Sequence, residues 1–208
     1  MPQSTPPNEE VIATFLPQIL DNEARGILSD LSVQPILALE FMDFTLDDTH
    51  QAIKHVVGIF EECFHAGHLK VVVSYVGETL YGYALAFILP IKGMAAYCHK
   101  IFVYEQYRGR GIGQQILSNV LESFPAVCLI CAPELSSFYT NAGFKNKGEL
   151  SLPRDQSGFT LSSGLYKGLV VMSTSDMTGQ EPMFLLNDSD VSALIAIRRR
   201  NASCSTKL

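Results

Sequence analysis

The chain predicts an α/β fold, a mixed sheet with helices on both faces. Three observations lead there. Short stretches at strand spacing recur along the chain, among them residues 70–76, 79–89 and 95–104. Apolar stripes at helical spacing stand between such stretches, as in Ile53, Val56, Val57, Phe60 and Phe64. Gly77 and Glu78 separate two strand-like runs by the two residues a tight hairpin needs. With 208 residues, 47% of them hydrophobic, the chain can bury one core, so a single domain with appendages is expected.

Taken in order, residues 1–10 are polar and proline-containing and read as a flexible tail. Val11, Ile12, Phe15, Leu16, Ile19 and Leu20 recur at helical spacing but Pro17 interrupts them, which predicts two short helices reaching about Leu31. Residues 35–44 read as a first strand. Thr45, with Asp48 three residues on, resembles a capping box opening the helix of the Ile53 stripe. The hairpin follows, then a strand over residues 95–104. In strict alternation that strand puts Tyr97, His99, Ile101 and Val103 on one face and Cys98, Lys100, Phe102 and Tyr104 on the other. Ile112, Ile116, Leu117, Val120, Leu121 and Phe124 form the next helical stripe, stopped by Pro125. Residues 126–132 are a further strand, and residues 158–173 hold one more in the run LYKGLVVMS. Asn187 or Asp188 caps a last helix that carries Val191, Leu194 and Ile195 and ends at Arg198, Arg199 and Arg200, where cations suit the helix dipole. The domain is expected over residues 11–173, with a helical segment over 11–32, and a C-terminal extension with a short helix over 174–208.

Composition narrows the function. A formal net charge of −6 argues against nucleic acid or an anionic membrane as partner, since both are bound by neutralising phosphates with Lys and Arg. The start of the chain lacks the basic and apolar regions of a signal peptide, and the longest apolar run, residues 83–89, is far short of a membrane span. Five cysteines without a secretory signal point to a reducing compartment, hence a cytoplasmic protein. Cys128-x-x-Cys131 lies in the apolar run AVCLICA, where residues three apart face opposite sides of a strand, so two buried thiols are expected rather than a redox or zinc pair. Cys63, His65 and His68 lack a second cluster to complete a zinc site, and no metal is expected.

The most informative stretch is Tyr107, Arg108, Gly109, Arg110, Gly111, Ile112, Gly113. Its glycines let successive backbone N–H groups converge, and it opens a helix, whose N-terminus favours an anion. Arg108 and Arg110 add charge-assisted donors, so the stretch reads as a pyrophosphate cradle. A Walker loop is excluded, because Gln114 and Gln115 stand where Lys and Ser or Thr are needed. A dinucleotide fingerprint is disfavoured by the glycine spacing, although Glu134 lies near the required distance, and by His99 and Lys100 in a strand that would have to be apolar on both faces.

Arg108-x-x-Gly111-x-Gly113, between a strand and an amphipathic helix, resembles the (Arg/Gln)-x-x-Gly-x-(Gly/Ala) signature of the GNAT superfamily of N-acetyltransferases. Phe138, Tyr139, Gly143 and Phe144 are similar to that family's F-Y-x-x-x-G-F segment, in the right order and with a strand between the two motifs. The architectural match runs from about Pro35 to Ser173, with residue-level identity over 97–144. Ala132 departs from the pattern, since many members carry Asn there.

The resemblance implies a GNAT-like, mostly antiparallel sheet of six to seven strands. It implies acetyl-CoA as co-substrate, without a metal, and transfer of its acetyl group to a primary amine of a small molecule or peptide by direct attack in a ternary complex. The coenzyme is expected on Ile101, Phe102 and Val103 of the strand and on Arg108, Gly109, Arg110, Gly111, Ile112, Gly113 and Gln114 of the loop, with the Val103 N–H as oxyanion donor. Tyr139 matches the tyrosine that protonates the departing thiolate, and a phenol is still protonated at neutral pH. His99 matches the catalytic histidine of some members, with Tyr97, Glu105, Glu78 or ordered water as the other candidates for the base. Homodimers are frequent in the family. The reading from another class is a coenzyme-A-binding regulatory or sensor domain, and a nucleotide-binding oxidoreductase is a third. Overall acidity modestly favours a cationic amine as acceptor.

Overall fold

The computed structural model describes residues 9–91, 93–152, 158–176 and 181–205. The described chain is a mixed α/β protein with seven helices and a six-stranded, mostly antiparallel sheet. It divides into two compact units, one of residues 1–17, 63–150 and 168–184, the other of residues 18–62, 151–167 and 185–208.

The first unit holds the sheet. Its strands are β1 (Leu69–Val76), β2 (Thr79–Phe87), β3 (Ala96–Val103), β4 (Val127–Cys131), β5 (Lys145–Glu149) and β6 (Val170–Ser173), in the spatial order β1-β2-β3-β4-β6-β5. β1 and β2 form the expected hairpin, with Val76 opposite Thr79 and Gly77 at φ +57° in the turn. All pairings are antiparallel except β3 with β4, which are joined through α4 (Ile112–Ser123). α4 packs on β1, β2 and β3, and its Ile112, Ile116, Leu117 and Val120 join Ala84, Cys98, Leu129 and Met172 in the buried core. The short helix α5 (Ser136–Asn141) follows β4 and packs on β5 and β6.

At Gly82 the side chain of Ile116 on α4 lies close against β2. A Cβ there would stand 2.5 Å from the Phe102 carbonyl oxygen and 2.9 Å from Ile116 Cδ1. Gly82→Ala is therefore expected to overpack this contact and lower stability by about 1–3 kcal/mol, seen as a lower urea midpoint at unchanged slope.

The second unit contains α2 (Ala38–Met42), α6 (Ser163–Tyr166), α7 (Asp188–Ser205) and most of α1 (Glu9–Ser32) and α3 (Leu46–His65). The capping box of α3 is present in full. Asp48 Oδ2 accepts from the Thr45 N–H at 2.9 Å and from Thr45 Oγ1 at 2.7 Å, while Thr45 Oγ1 accepts from the Asp48 N–H at 3.1 Å. Asn187 caps α7, its Oδ1 accepting from the N–H groups of Ser189 and Asp190.

Several expected elements differ. Residues 35–44 form no strand but the short helix α2, so the sheet begins at β1. Pro17 does not split the first helix. Proline removes one backbone hydrogen bond, but Phe15, Ile19, Leu20, Ala24, Ile27, Leu28 and Leu31 are buried on one continuous stripe, and their burial outweighs it. Glu9 and Glu10 belong to that helix, and the rest of the expected tail lies outside the described residues. β5, in the polar run KNKGE, offers no apolar alternation and is held at the sheet edge by β6. In the stretch 158–173 only Val170–Ser173 is a strand, since Ser163–Tyr166 turns helical. α7 continues past Arg200 to Ser205, and Arg198 is not a simple helix-end cation: it reaches Asp43 Oδ2 at 2.5 Å and Glu40 Oε2 at 3.7 Å.

Candidate acyl-transfer site

β3 and β4 pair at only two positions, Ala96 with Val127 and Tyr97 with Cys128. Beyond these the strands part: Cys98 to Val103 have no partner on β4, while β4 stays paired with β6 through Cys131. On its other side β3 remains paired with β2. The Tyr104 N–H donates to the Tyr81 carbonyl at 3.1 Å, so in an antiparallel ladder the backbone groups of Phe102 and Lys100 turn toward β2 and those of Ile101 and Val103 turn into the gap. The Val103 carbonyl is met there by Arg108, whose Nε donates to it at 3.0 Å.

The glycine loop closes one end of this gap. Gly109 and Gly111 both have positive φ, +75° and +76°, which an L side chain seldom adopts, and a Cβ on either would meet nothing within 4 Å. Gly111 is the N-cap of α4 and its carbonyl takes the first helical bond, from the Gln115 N–H at 3.0 Å. No side chain caps α4, and no acidic residue stands in its first turn. The N–H groups of Ile112, Gly113 and Gln114 thus point out of the helix end toward the loop, with the positive end of the dipole behind them. Gly113 sits against Val103, with 3.6 Å between an added Cβ and Val103 Cγ2. Arg110 lies over the Tyr107 ring at 5.8 Å, and Tyr107 packs on Tyr81 at 4.3 Å. Arg108 retains its other guanidinium donors, so the bond to Val103 braces the loop without removing its charge.

Tyr139 lies on α5, near its C-terminal end, where its carbonyl accepts from the N–H groups of Ala142 and Phe144. Its ring meets Phe138 and Phe144 edge-on at 5.1 and 5.7 Å and packs against the core that includes Cys98 on β3 and Cys131 on β4. The phenol is therefore half-buried against a core to which both of the parted strands contribute. Burial holds its pKa above the ordinary phenol value, with Cys98 and Cys131 adding in the same direction.

His99 requires a correction. The pairing of β2 with β3 shifts between Leu85 and Ala86, so that Leu85 faces Lys100 while Ala86 faces Cys98, and His99 is the extra residue of a β-bulge. Cys98, Ile101 and Val103 share the α4 face with Ala84, whereas Tyr97 and Phe102 share the opposite face with Phe87 and Tyr83. His99 is on that opposite face, among Phe87, Tyr97 and Phe184 with ring centroids at 5.7, 5.9 and 6.1 Å. It is not on the face of Val103. The sequence does carry a sign of this: His99 and Lys100 are consecutive polar residues in an otherwise apolar strand, which strict alternation cannot satisfy. Phe87 and Phe184, stacked at 4.4 Å and 4°, are the neighbours of His99 that a strand pattern could not reveal.

The remaining candidates are peripheral. Glu105 is exposed in the turn after β3, Glu78 is exposed in the hairpin, and Glu134 is exposed in the turn after β4. Cys128 and Cys131 do face opposite sides of β4: Cys131 joins the α4 core, while Cys128 Sγ donates to the Pro182 carbonyl at 3.4 Å. Burial pushes the thiols of Cys98 and Cys128 up to about 12. Among the described residues no group of three or more His, Cys, Asp or Glu comes together that could hold a metal, and no helix is long and apolar enough to cross a membrane.

Residues 67–146, which carry the parted strands, the glycine loop, α4 and α5, match the family model described as an acetyltransferase (GNAT) domain. That match covers 80 of the 208 residues, and within it the chain is similar to a GNAT acetyltransferase domain. No curated protein matches the chain. Among solved structures, the chain is similar to ElaA of Escherichia coli, at 20% identity over 51% of this chain and 68% of that one, with a TM-score of 0.41. It is also similar to an acetyltransferase from Thermus thermophilus, at 15% identity over 74% and 90% with a TM-score of 0.45. A third is the PaiA N-acetyltransferase from Thermoplasma acidophilum in complex with coenzyme A, at 12% over 74% and 94% with a TM-score of 0.44.

Proposed function

We propose that the protein transfers the acetyl group of acetyl-CoA to a primary amine by direct attack in a ternary complex. The observation that carries this is the parting of β3 from β4 beside an uncapped helix N-terminus, with a half-buried phenol packed against the core that holds Cys98 of β3 and Cys131 of β4. The pyrophosphate would lie on the N–H groups of Ile112, Gly113 and Gln114, with Gly109 and Gly111 leaving it room and Arg108 and Arg110 adding charge. The pantetheine arm would pair with the gap-side backbone of Ile101 and Val103, next to Phe102, and the Val103 N–H would polarise the thioester carbonyl. Tyr139 would give its proton to the leaving thiolate. The thiols of Cys98 and Cys128, held up to about 12, are poor nucleophiles at neutral pH, which favours direct attack over an acyl-cysteine route. The thiols of Cys98, Cys128 and Cys131, which form no disulfide, fit a reducing, cytoplasmic location.

His99 is our choice for the group that takes the proton of the attacking amine, from the face of β3 opposite Tyr139. This division would let coenzyme and acceptor enter from different sides of the sheet. The coenzyme-binding sensor is the competing reading, and release of free thiol from acetyl-CoA in the presence of an amine separates the two. If His99 is the base, log kcat/KM rises with pH through one ionisation, and His99→Gln removes that limb while leaving acetyl-CoA affinity unchanged. The same limb in both proteins would assign the proton transfer to water or to the amine's own ionisation.

A further inference from the structure

A cavity of about 210 Å³ lies against three of the rings that surround His99, which does not itself line it, and the mechanism above gives it no role. Its walls include Phe87, Leu89, Tyr97, Met183 and Phe184, with His68 at one side. Among the described residues that line it, none is acidic and none is Lys or Arg. Three of its walls, Phe87, Tyr97 and Phe184, are the rings that surround His99, and the stacked Phe87–Phe184 pair meets the imidazole edge-on at 79° and 82°. The cavity and the candidate base therefore share their walls.

The chemistry of the lining selects the ligand. An apolar cavity of about 150 Å³ takes benzene, so this one has room for a ring or branched alkyl group and a short arm. A second ammonium placed among these walls would lose its water without gaining a carboxylate, which disfavours polyamines and aminoglycosides. We propose that this cavity holds the apolar body of the acceptor, a small primary amine bearing an aryl or branched alkyl group, with its nitrogen presented toward His99. The overall acidity of the chain, which by itself favours a polycation, is overridden by the local lining. The proposal rests on the transferase reading for its chemistry but not for its binding.

The test uses the full chain, with calorimetry of 2-phenylethylamine in the presence of coenzyme A and thiol release from acetyl-CoA with 2-phenylethylamine, 3-methylbutylamine, spermidine and a short peptide. The expected result is a kcat/KM for the two apolar amines at least tenfold above that for spermidine or the peptide. Phe184→Ala should raise the KM for 2-phenylethylamine at least tenfold with acetyl-CoA affinity unchanged. Leu89→Ala, at a position 46% exposed and hence tolerant of substitution, should move it in the same direction by less. A preference for spermidine or peptide, or a KM for 2-phenylethylamine that neither variant moves, overturns the pocket and leaves acetyl transfer standing. Binding of 2-phenylethylamine that Phe184→Ala weakens, without thiol release from any amine, supports the pocket and overturns the transferase reading. No binding and no transfer overturns both.

Discussion

Tyr139→Phe should lower kcat by about 10²–10⁴-fold with a good acceptor, while the affinity for acetyl-CoA changes little. The ring is held by Phe138, Phe144 and the core around Cys98 and Cys131, and phenylalanine preserves all of that packing. What is lost is one proton, held against the core to which both parted strands contribute. Burial raises the pKa of this phenol, so it stays protonated across the neutral range and no tyrosine ionisation should shape the rate profile there. The same shift has a sign for stability. A pKa higher in the folded than in the unfolded state means that the folded protein holds the proton more tightly, so the contribution is complete below the ordinary phenol value and is lost as pH climbs toward the raised one. The parent should therefore lose stability at alkaline pH more steeply than Tyr139→Phe. A variant with near-parental kcat, measured where chemistry limits the rate, would leave the hydroxyl a structural role only.

Gly111→Asp should abolish acetyl-CoA binding in a protein that remains folded. Gly111 is the N-cap of α4 at φ +76°, and the space where a Cβ would stand is open. Aspartate can serve as an N-cap and tolerates the left-handed region better than most residues, so the helix should survive. Its carboxylate, however, would occupy the N–H groups meant for phosphate and repel the anion itself. Calorimetry with acetyl-CoA, alongside a thermal melt, distinguishes the outcomes, and unchanged affinity in the folded variant would reduce the loop to a turn.

The shape of the glycine loop and the place of Tyr139 on its helix were legible from residues alone because each depends on local backbone geometry. Positive φ values at Gly109 and Gly111, an uncapped helix start and a phenol near the end of the next short helix all lie within a few residues of the motif that encodes them. The capping box of Thr45 with Asp48 and the hairpin at Gly77 were readable for the same reason. Pro17 and residues 35–44 misled because local preference was weighed there without the burial that overrides it: a long apolar stripe carries the helix through the proline, and β1 rather than an earlier strand forms the sheet edge.

By itself, then, the sequence determined the α/β class, the glycine loop with its helix and the Phe138, Tyr139, Gly143 segment, since short-range sterics and hydrogen bonding specify them. Tertiary structure decided the face on which His99 stands, of which the sequence carried only a sign, and it alone decided the company His99 keeps. One inserted residue in the β2–β3 ladder reverses the alternation that the sequence implies, because a period of two turns every side chain over when the register slips by one. Phe184, more than eighty residues beyond His99, reaches it only through the folded chain, and no local rule connects residues so far apart.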